Sequence, residues 1–149
     1  MILIDSNILL RLASRSDPAH SLTSKAIQEL RQQNETLCLV PQNLYEFWAV
    51  ATRPLVNNGL GLTPLETVQE ISGFKQMFIL HADSPKLFDT WETLVAKYAC
   101  SGKVSHDARL VADMVELKIP KLLTFNTTDF TRFSMIKLIH PQNLTSNLP

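Results

Sequence analysis

The sequence predicts an α/β protein: a three-layer α/β/α sandwich around a central, mostly parallel sheet of about five strands. Two observations support this fold class. Short apolar runs alternate along the chain with segments whose apolar residues recur at helical spacing. The strand-like runs are apolar throughout, as in parallel strands that are covered on both faces. The 149 residues show no internal repeat and no linker-like stretch, so we expect a single domain over residues 1–149.

The first third of the chain alternates strands and helices. Pro41 is well placed to begin a helix, because proline is favoured at the first helical position. The predicted buried face of that helix carries Leu44, Phe47, Trp48 and Ala51. The elements predicted here are strands at 2–4 and 36–40 and helices at about 7–14, 19–33 and 41–52.

The remainder of the chain begins with a turn-rich excursion at residues 53–61 and continues the alternation. Thr63 and Pro64 start a helix in which Glu66 occupies the capping-box position. Another helix opens at Ser84 and Pro85. The last predicted helix covers residues 105–118, with Ala108, Val111, Ala112 and Val115 facing inward. The strands predicted in this part lie at 77–81, 121–125 and 135–139.

The composition excludes several classes of protein. At 45% hydrophobic and 19% charged residues, the chain is neither disordered nor collagenous. No stretch approaches the ~18 uncharged apolar residues of a membrane span. Cys38 and Cys100 have apolar or small neighbours, which predicts two buried free thiols. We therefore expect a soluble, cytoplasmic protein.

Acidic residues occur where parallel strands end or helices begin, and in such sheets the functional crevice lies outside the carboxyl ends of the strands. Asp5 follows the first strand, and Glu46 lies in the helix after the second. Asp107 lies in the first turn of the helix predicted to begin at Ser105, and Asp129 follows the 121–125 strand. Singly, they could be a helix cap, helix-dipole partners or a solvated side chain. Gathered at one edge, these carboxylates would repel each other unless a cation neutralised them. Oxygen ligands favour Mg²⁺ or Mn²⁺ over Zn²⁺.

Three known classes of phosphate-binding or phosphoryl-transfer protein do not fit the sequence. A receiver-like phosphoacceptor module needs an acidic pair after its first strand, and this chain has Asp5, Ser6 and Asn7 there. Asn7 also breaks the Asp-x-Asp motif of haloacid-dehalogenase-type phosphatases. The chain contains only 4 glycines and no phosphate-binding loop of the Gly-x-x-x-x-Gly-Lys type.

Four short segments carry the acidic residues: Ile2-Leu-Ile-Asp5-Ser-Asn7, Leu44-Tyr-Glu-Phe-Trp48, His106-Asp-Ala108 and Leu123-Thr-Phe-Asn-Thr-Thr-Asp-Phe130. In this order and spacing they resemble the motifs of PIN domains, most closely those of the VapC toxins of prokaryotic type II toxin–antitoxin pairs. A further segment, Ala51-Thr-Arg-Pro54 with Asn58-Gly-Leu-Gly-Leu62, is also similar to a region common among those toxins. The resemblance spans residues 2 to about 139.

The resemblance implies a metal-dependent endoribonuclease that uses Mg²⁺ or Mn²⁺. Matched by motif, Asp5, Glu46, Asp107 and Asp129 would form the acidic catalytic site. We expect Asp5 and Asp107 to bind the metal directly. Glu46 and Asp129 would act through water or complete a second metal position.

The resemblance also implies supporting residues and partners. Asn7, Asn126 and Thr124 would orient a carboxylate or a metal-bound water, and the motif leaves open whether Asn126 or Asp129 lies closer to the metal. The expected partners are an RNA substrate (tRNA, rRNA or mRNA), a cognate antitoxin protein and a second copy of the chain in a homodimer, with no membrane. The alternative is a catalytically silent PIN fold that binds RNA or protein.

The zero net charge is compatible with an RNA partner once the acidic site is considered. The chain has 14 basic and 14 acidic residues. If four acids belong to one site, 14 basic residues face 10 acids elsewhere, a formal charge of +4. Arg53, Lys103 and Arg109 lie near the acidic motifs in the sequence, as phosphate contacts or as ordinary solvated charges. The charge pattern predicts a concentrated negative site on a mildly basic surface.

Overall fold

A computed structural model describes residues 1–145 and contains a five-stranded sheet with the order β3-β2-β1-β4-β5. Every pairing between neighbouring strands is parallel. The prediction of an α/β fold with about five strands is therefore confirmed. The strands are β1 (Ile2–Ile4), β2 (Leu37–Leu39), β3 (Ile79–Leu80), β4 (Lys121–Leu123) and β5 (Lys137–Ile139).

Every helix predicted from apolar spacing is present. Most of the predicted helix ends lie within one or two residues of the observed ends. Two short helices and a 3₁₀ turn at Leu55–Asn57 were not predicted, because segments this short show no apolar periodicity. The helices are α1 (Ser6–Ala13), α2 (His20–Gln32), α3 (Pro41–Ala51), α4 (Pro64–Met77), α5 (Leu87–Lys97), α6 (Val104–Glu116), α7 (Thr127–Phe130) and α8 (Pro141–Thr145). Among residues 1–145, no helix is long and apolar enough to cross a membrane.

The sheet is covered on both faces by separate apolar clusters. Ile2 and Ile4 of β1 belong to the cluster beneath α1, α2, α3 and α4. Leu3, between them, belongs to the cluster beneath α5 and α6. Successive side chains of a strand point to opposite faces, so a strand buried on both sides needs apolar residues at every position. This explains the uninterrupted apolar runs.

The order in which strands are added to the sheet changes direction between β1 and β4, which makes this a topological switch point. From β1 it passes to β2 and β3 on one side, and it returns to place β4 on the other side of β1. Ile4 is paired in register with Leu123, and the Asp5 N–H donates to the Leu123 carbonyl at 3.0 Å. A crevice opens outside the carboxyl ends of strands at such a switch point. The residues that follow Ile4 and Leu123 therefore lie in it.

Two predicted helix starts are confirmed. Pro41 is the first residue of α3. At the start of α4, the Glu66 N–H donates to the Thr63 hydroxyl at 3.2 Å and the Thr63 N–H donates to a Glu66 carboxylate oxygen at 2.7 Å. This reciprocal pair is a capping box. By contrast, α6 begins at Val104, one residue before the predicted start.

Three burial predictions were wrong. Trp48 is 36% exposed, because an indole at the margin of a helix face is too large to be covered completely. Val115 is 41% exposed, since the buried stripe of α6 includes Leu110 and Met114 and so runs to one side of Val115. Cys38 is buried as predicted but Cys100 is only partly buried, and both are free thiols.

Candidate functional site

The structure brings the four predicted acidic residues to one cleft at the carboxyl edge of the sheet. Asp5, Glu46, Asp107 and Asp129 all line this acidic cleft, which has a volume of about 250 Å³. They come from four places in the fold: the end of β1, α3, α6 and α7. Asn7 and Asn126 line it as well, whereas Thr124 lies beneath it and contacts Asp5.

Asp5 is the most enclosed of these acids, with 6% of its surface exposed. Its Oδ2 accepts hydrogen bonds from the Thr124 hydroxyl at 2.6 Å and from Asn7 Nδ2 at 2.8 Å. Its Oδ1 has a longer contact, 3.3 Å, with the Ser6 hydroxyl. Burial raises the pKa of Asp5 and the hydrogen bond from Thr124 opposes that shift. Oδ2 is therefore fixed by two hydrogen bonds, whereas Oδ1 has only the longer contact.

Asn7 and Thr124 form a hydrogen-bonded clamp beneath Asp5. Asn7 Nδ2 also donates to the Thr124 hydroxyl at 3.0 Å, and Asn7 Oδ1 accepts from the Phe125 N–H at 3.2 Å. The Thr124 hydroxyl accepts in addition from the Asn126 N–H at 3.0 Å. The clamp thus joins the start of α1 to the segment that follows β4, and it orients the Asp5 carboxylate.

Glu46 is half-buried and hydrogen-bonded through both of its oxygens. Oε2 accepts from the Ser6 hydroxyl at 2.8 Å, and Oε1 accepts from Gln42 Nε2 at 2.8 Å. Glu46 is therefore not simply a solvated residue on an outer face. Gln42 was not identified by the sequence analysis. Its position one helical turn before Glu46 was the available signal, since residues at that spacing are neighbours on a helix.

Asp107 lies in the first turn of α6 and faces the other acids. Burial raises its pKa to about 6, with further contributions from the negative charges of Asp129, Asp5 and Glu46, while Lys103 opposes the rise. The carboxylates are thus close enough to interact electrostatically. This mutual repulsion is the property expected of a cluster that binds a cation.

Positive side chains border one end of the acidic cleft. Lys103 and Arg132 line an adjoining cavity of about 340 Å³ together with Asp107 and Asp129. Arg109, by contrast, is engaged within the protein. Its guanidinium donates to Asp83 at 2.9 Å and to Gln42 at 2.9 Å, and it lies 3.4 Å from Asp113.

The donor set fits a hard divalent cation. Within residues 1–145, no group of three or more His, Cys, Asp or Glu side chains is arranged as a ready-made metal cage. Mg²⁺ does not require one, because it is usually held by one or two carboxylates together with waters and substrate phosphates. Asp5 and Asp107 offer carboxylate oxygens on the same cleft, and the pKa of Asp107 is raised by burial and, to a smaller extent, by the neighbouring negative charges.

Comparison with known proteins places the fold. No protein-family model matches the sequence, and no curated protein matches it significantly. The solved structure of VapBC2 from Rickettsia felis, bound to promoter DNA, superposes with a TM-score of 0.71 at 15% identity, covering 94% of this chain and 98% of the other. The chain has the VapC fold.

Two further solved structures agree. VapC20 of Mycobacterium tuberculosis, a toxin that cleaves the sarcin-ricin loop, gives a TM-score of 0.62 at 15% identity over 88% of this chain and 95% of the other. A toxin–antitoxin complex from Klebsiella pneumoniae gives 0.64 at 18% identity over 95% and 98%. The resemblance to VapC PIN domains is therefore confirmed in the fold.

Proposed function

We propose that the protein is a Mg²⁺- or Mn²⁺-dependent endoribonuclease, the toxin of a toxin–antitoxin pair. The observation that carries this proposal is the convergence of Asp5, Glu46, Asp107 and Asp129 on one cleft of a VapC fold. Structural likeness to a toxin that cleaves the sarcin-ricin loop supports RNA as the substrate class.

Asp5 and Asp107 would hold the metal directly, and Glu46 and Asp129 would bind it through water or at a second position. When bound, the ion supplies a water of lowered pKa and neutralises charge on the phosphate. The clamp of Asn7 and Thr124 keeps Asp5 Oδ2 occupied, so Oδ1, which has only the longer contact with Ser6, would be the oxygen that binds a ligand.

The rest of the chemistry belongs to side chains around the cleft. Lys103 and Arg132 border the cavity next to Asp129 and would bind RNA phosphates. Asp107 titrates with a pKa of about 6, so at neutral pH it is mostly ionised and ready to bind a cation. A cation that enters the cleft would relieve the repulsion among the four acids while leaving them ionised.

The test is cleavage of purified cellular RNA with Mg²⁺ or Mn²⁺, compared with the reaction in excess chelator. Asp5→Asn and Asp107→Asn are expected to lower the rate roughly 100-fold or more, the scale of losing a group that stabilises transition-state charge. Asp89→Asn, at an exposed acid of α5 outside the cleft, is the matched control and should cleave like the wild type.

The outcomes distinguish a ribonuclease from a catalytically silent binding module. Retained cleavage in both Asp5→Asn and Asp107→Asn would contradict the site assignment. If the wild-type protein binds RNA or a protein partner but cleaves no cellular RNA with either metal, the fold serves as a silent binding module.

We also propose an antitoxin partner and a homodimer. Likeness to toxin–antitoxin complexes supports the first. Exposed apolar side chains on α3 and α4 support a protein-binding surface: Tyr45 is 67% exposed, Leu65 70% and Val68 53%. Light scattering of the purified chain measures its oligomeric state. Co-expression with the product of a short reading frame directly upstream tests the antitoxin.

A further inference from the structure

We propose that Gln42 is a positioning residue for the acidic cleft. It would hold the Glu46 carboxylate and the first turn of α6, which carries Asp107, in one fixed relation. The inference rests on the proposed function, because it concerns the same cleft. Gln42 lies in α3, one helical turn before Glu46, and is 5% exposed.

The Gln42 amide uses all of its polar atoms. Nε2 donates one hydrogen to Glu46 Oε1 at 2.8 Å and the other to the His106 carbonyl at 2.9 Å. Oε1 accepts from Arg109 Nη1 at 2.9 Å. A glutamine amide has two N–H donors and one carbonyl oxygen, so each side of the group has a partner. This single side chain therefore links α3 to the first turn of α6.

Arg109 determines which way the amide points. A guanidinium can only donate hydrogen bonds, so the amide oxygen must face Arg109 and the NH₂ group must face Glu46. A flipped amide would place its oxygen against the Glu46 carboxylate and its NH₂ against a cation. Arg109 is in turn held by Asp83 at 2.9 Å and by the fully buried Asp113 at 3.4 Å.

The consequence for the cleft concerns Glu46 and Asp107 together. Glu46 is held by two hydrogen bonds, one from Gln42 and one from Ser6 at 2.8 Å. Without Gln42, the carboxylate keeps only the Ser6 contact and gains rotational freedom. The carbonyl of His106, next to Asp107, would also lose its link to α3. Removing partners that orient metal ligands typically costs about 10- to 100-fold in metal affinity or activity.

The decisive variant is Gln42→Met, which keeps the length of the side chain and removes its hydrogen bonds. Gln69→Met, at an exposed position of α4, is the matched control. We expect Gln42→Met to weaken Mn²⁺ binding, measured by calorimetry, and to raise the Mn²⁺ concentration for half-maximal RNA cleavage, each by about 10- to 100-fold. The KM for RNA should be unchanged, and Gln69→Met should match the wild type throughout.

A double variant tests whether Gln42 acts through Glu46. If it does, adding Gln42→Met to Glu46→Gln should weaken Mn²⁺ binding by less than the product of the two single losses, because coupled residues are non-additive. Independent, multiplicative losses would overturn the proposal. So would a Gln42→Met protein with a lowered melting temperature and wild-type Mn²⁺ affinity, since that result describes a purely structural link.

A metal-free readout keeps this proposal separate from the proposed function. The Gln42 side-chain NH₂ should give two distinct, slowly exchanging proton signals by NMR, and Arg109→Gln should make them exchange faster. Fast exchange in the wild type would refute the positioning role. A wild-type protein that binds Mn²⁺ but cleaves no RNA would instead refute the nuclease, while the Mn²⁺ measurements would still decide the role of Gln42.

Discussion

The Thr124 hydroxyl lies 2.6 Å from Oδ2 of Asp5, although 119 positions separate the two residues in the chain. The contact exists because β1 and β4 are neighbours in register, so that the residues following Ile4 and Leu123 emerge side by side. Through this contact, the pairing of β1 with β4 orients Asp5, the most deeply buried acid of the cleft.

We predict that Thr124→Val shifts the pH dependence of RNA cleavage. The hydrogen bond from Thr124 holds the pKa of Asp5 below the value that burial alone would produce, so its loss raises that pKa further. The acidic limb of the pH–rate profile should move to higher pH. Thr23→Val is the control, since Thr23 is also fully buried but donates to the carbonyl of Ala19, the residue before α2, away from the cleft. An unchanged acidic limb in Thr124→Val would contradict the prediction.

A second prediction concerns Asp113, whose side chain is fully buried and whose Oδ1 has no hydrogen-bond partner within residues 1–145. Burial raises its pKa from 3.8 to about 6, with the Arg109 charge opposing the rise. Between these pH values the unfolded chain loses the proton while the folded protein keeps it. The stability contributed by the protonated form is therefore fully present below pH 3.8 and lost as the pH rises through 6.

Asp113→Asn removes this titration. Relative to the wild type, the variant should gain about 2 kcal/mol in free energy of unfolding between pH 4 and pH 7.5, because each pKa unit corresponds to about 1.4 kcal/mol and the unfolded chain is already partly ionised at pH 4. Urea unfolding of both proteins at the two pH values measures the difference. Asp89→Asn serves as the exposed control, and a wild-type-like pH dependence in Asp113→Asn would show that this buried carboxyl does not titrate as expected.

Repulsion within the carboxylate cluster should also lower the stability of the metal-free protein. In chelator at pH 8, Asp107→Asn is expected to melt at a higher temperature than the wild type, because it removes one of several repelling charges. Added Mg²⁺ should raise the melting temperature of the wild type, since a ligand that binds only the folded state stabilises it. The variant should respond weakly. A lower melting temperature for Asp107→Asn in chelator would argue against mutual repulsion.

Arg132 offers a test of the phosphate contacts. Arg132→Gln should raise the KM for RNA and flatten its dependence on salt concentration, with little change in kcat, because a phosphate contact contributes binding without taking part in the chemistry. Lys25→Gln, an exposed cation on α2, should leave both quantities unchanged. Equal effects from the two substitutions would indicate a general charge effect.

The fold and the position of Asp5 were predictable for the same reason. Strands buried on both faces leave uninterrupted apolar runs, and the residue after each run lies at the functional edge of a parallel sheet, as Asp5 does after Ile4. Burial at helix margins was less predictable. The spacing that places Val111 inside does not show whether Val115 or Met114 completes the stripe, because that depends on how α6 is rotated against the sheet.

By itself, the sequence determined the α/β class, the position of Asp5 after the first strand and the carboxylate-rich character of the cleft. Only the tertiary structure decided which partners hold those acids. The hydrogen bond between Gln42 and Arg109 joins residues 67 positions apart, and it depends on where α3 and α6 lie relative to each other across the sheet. Local periodicity reports which face of a helix is apolar, but it carries no information about which polar groups two docked helices bring within 3 Å of one another.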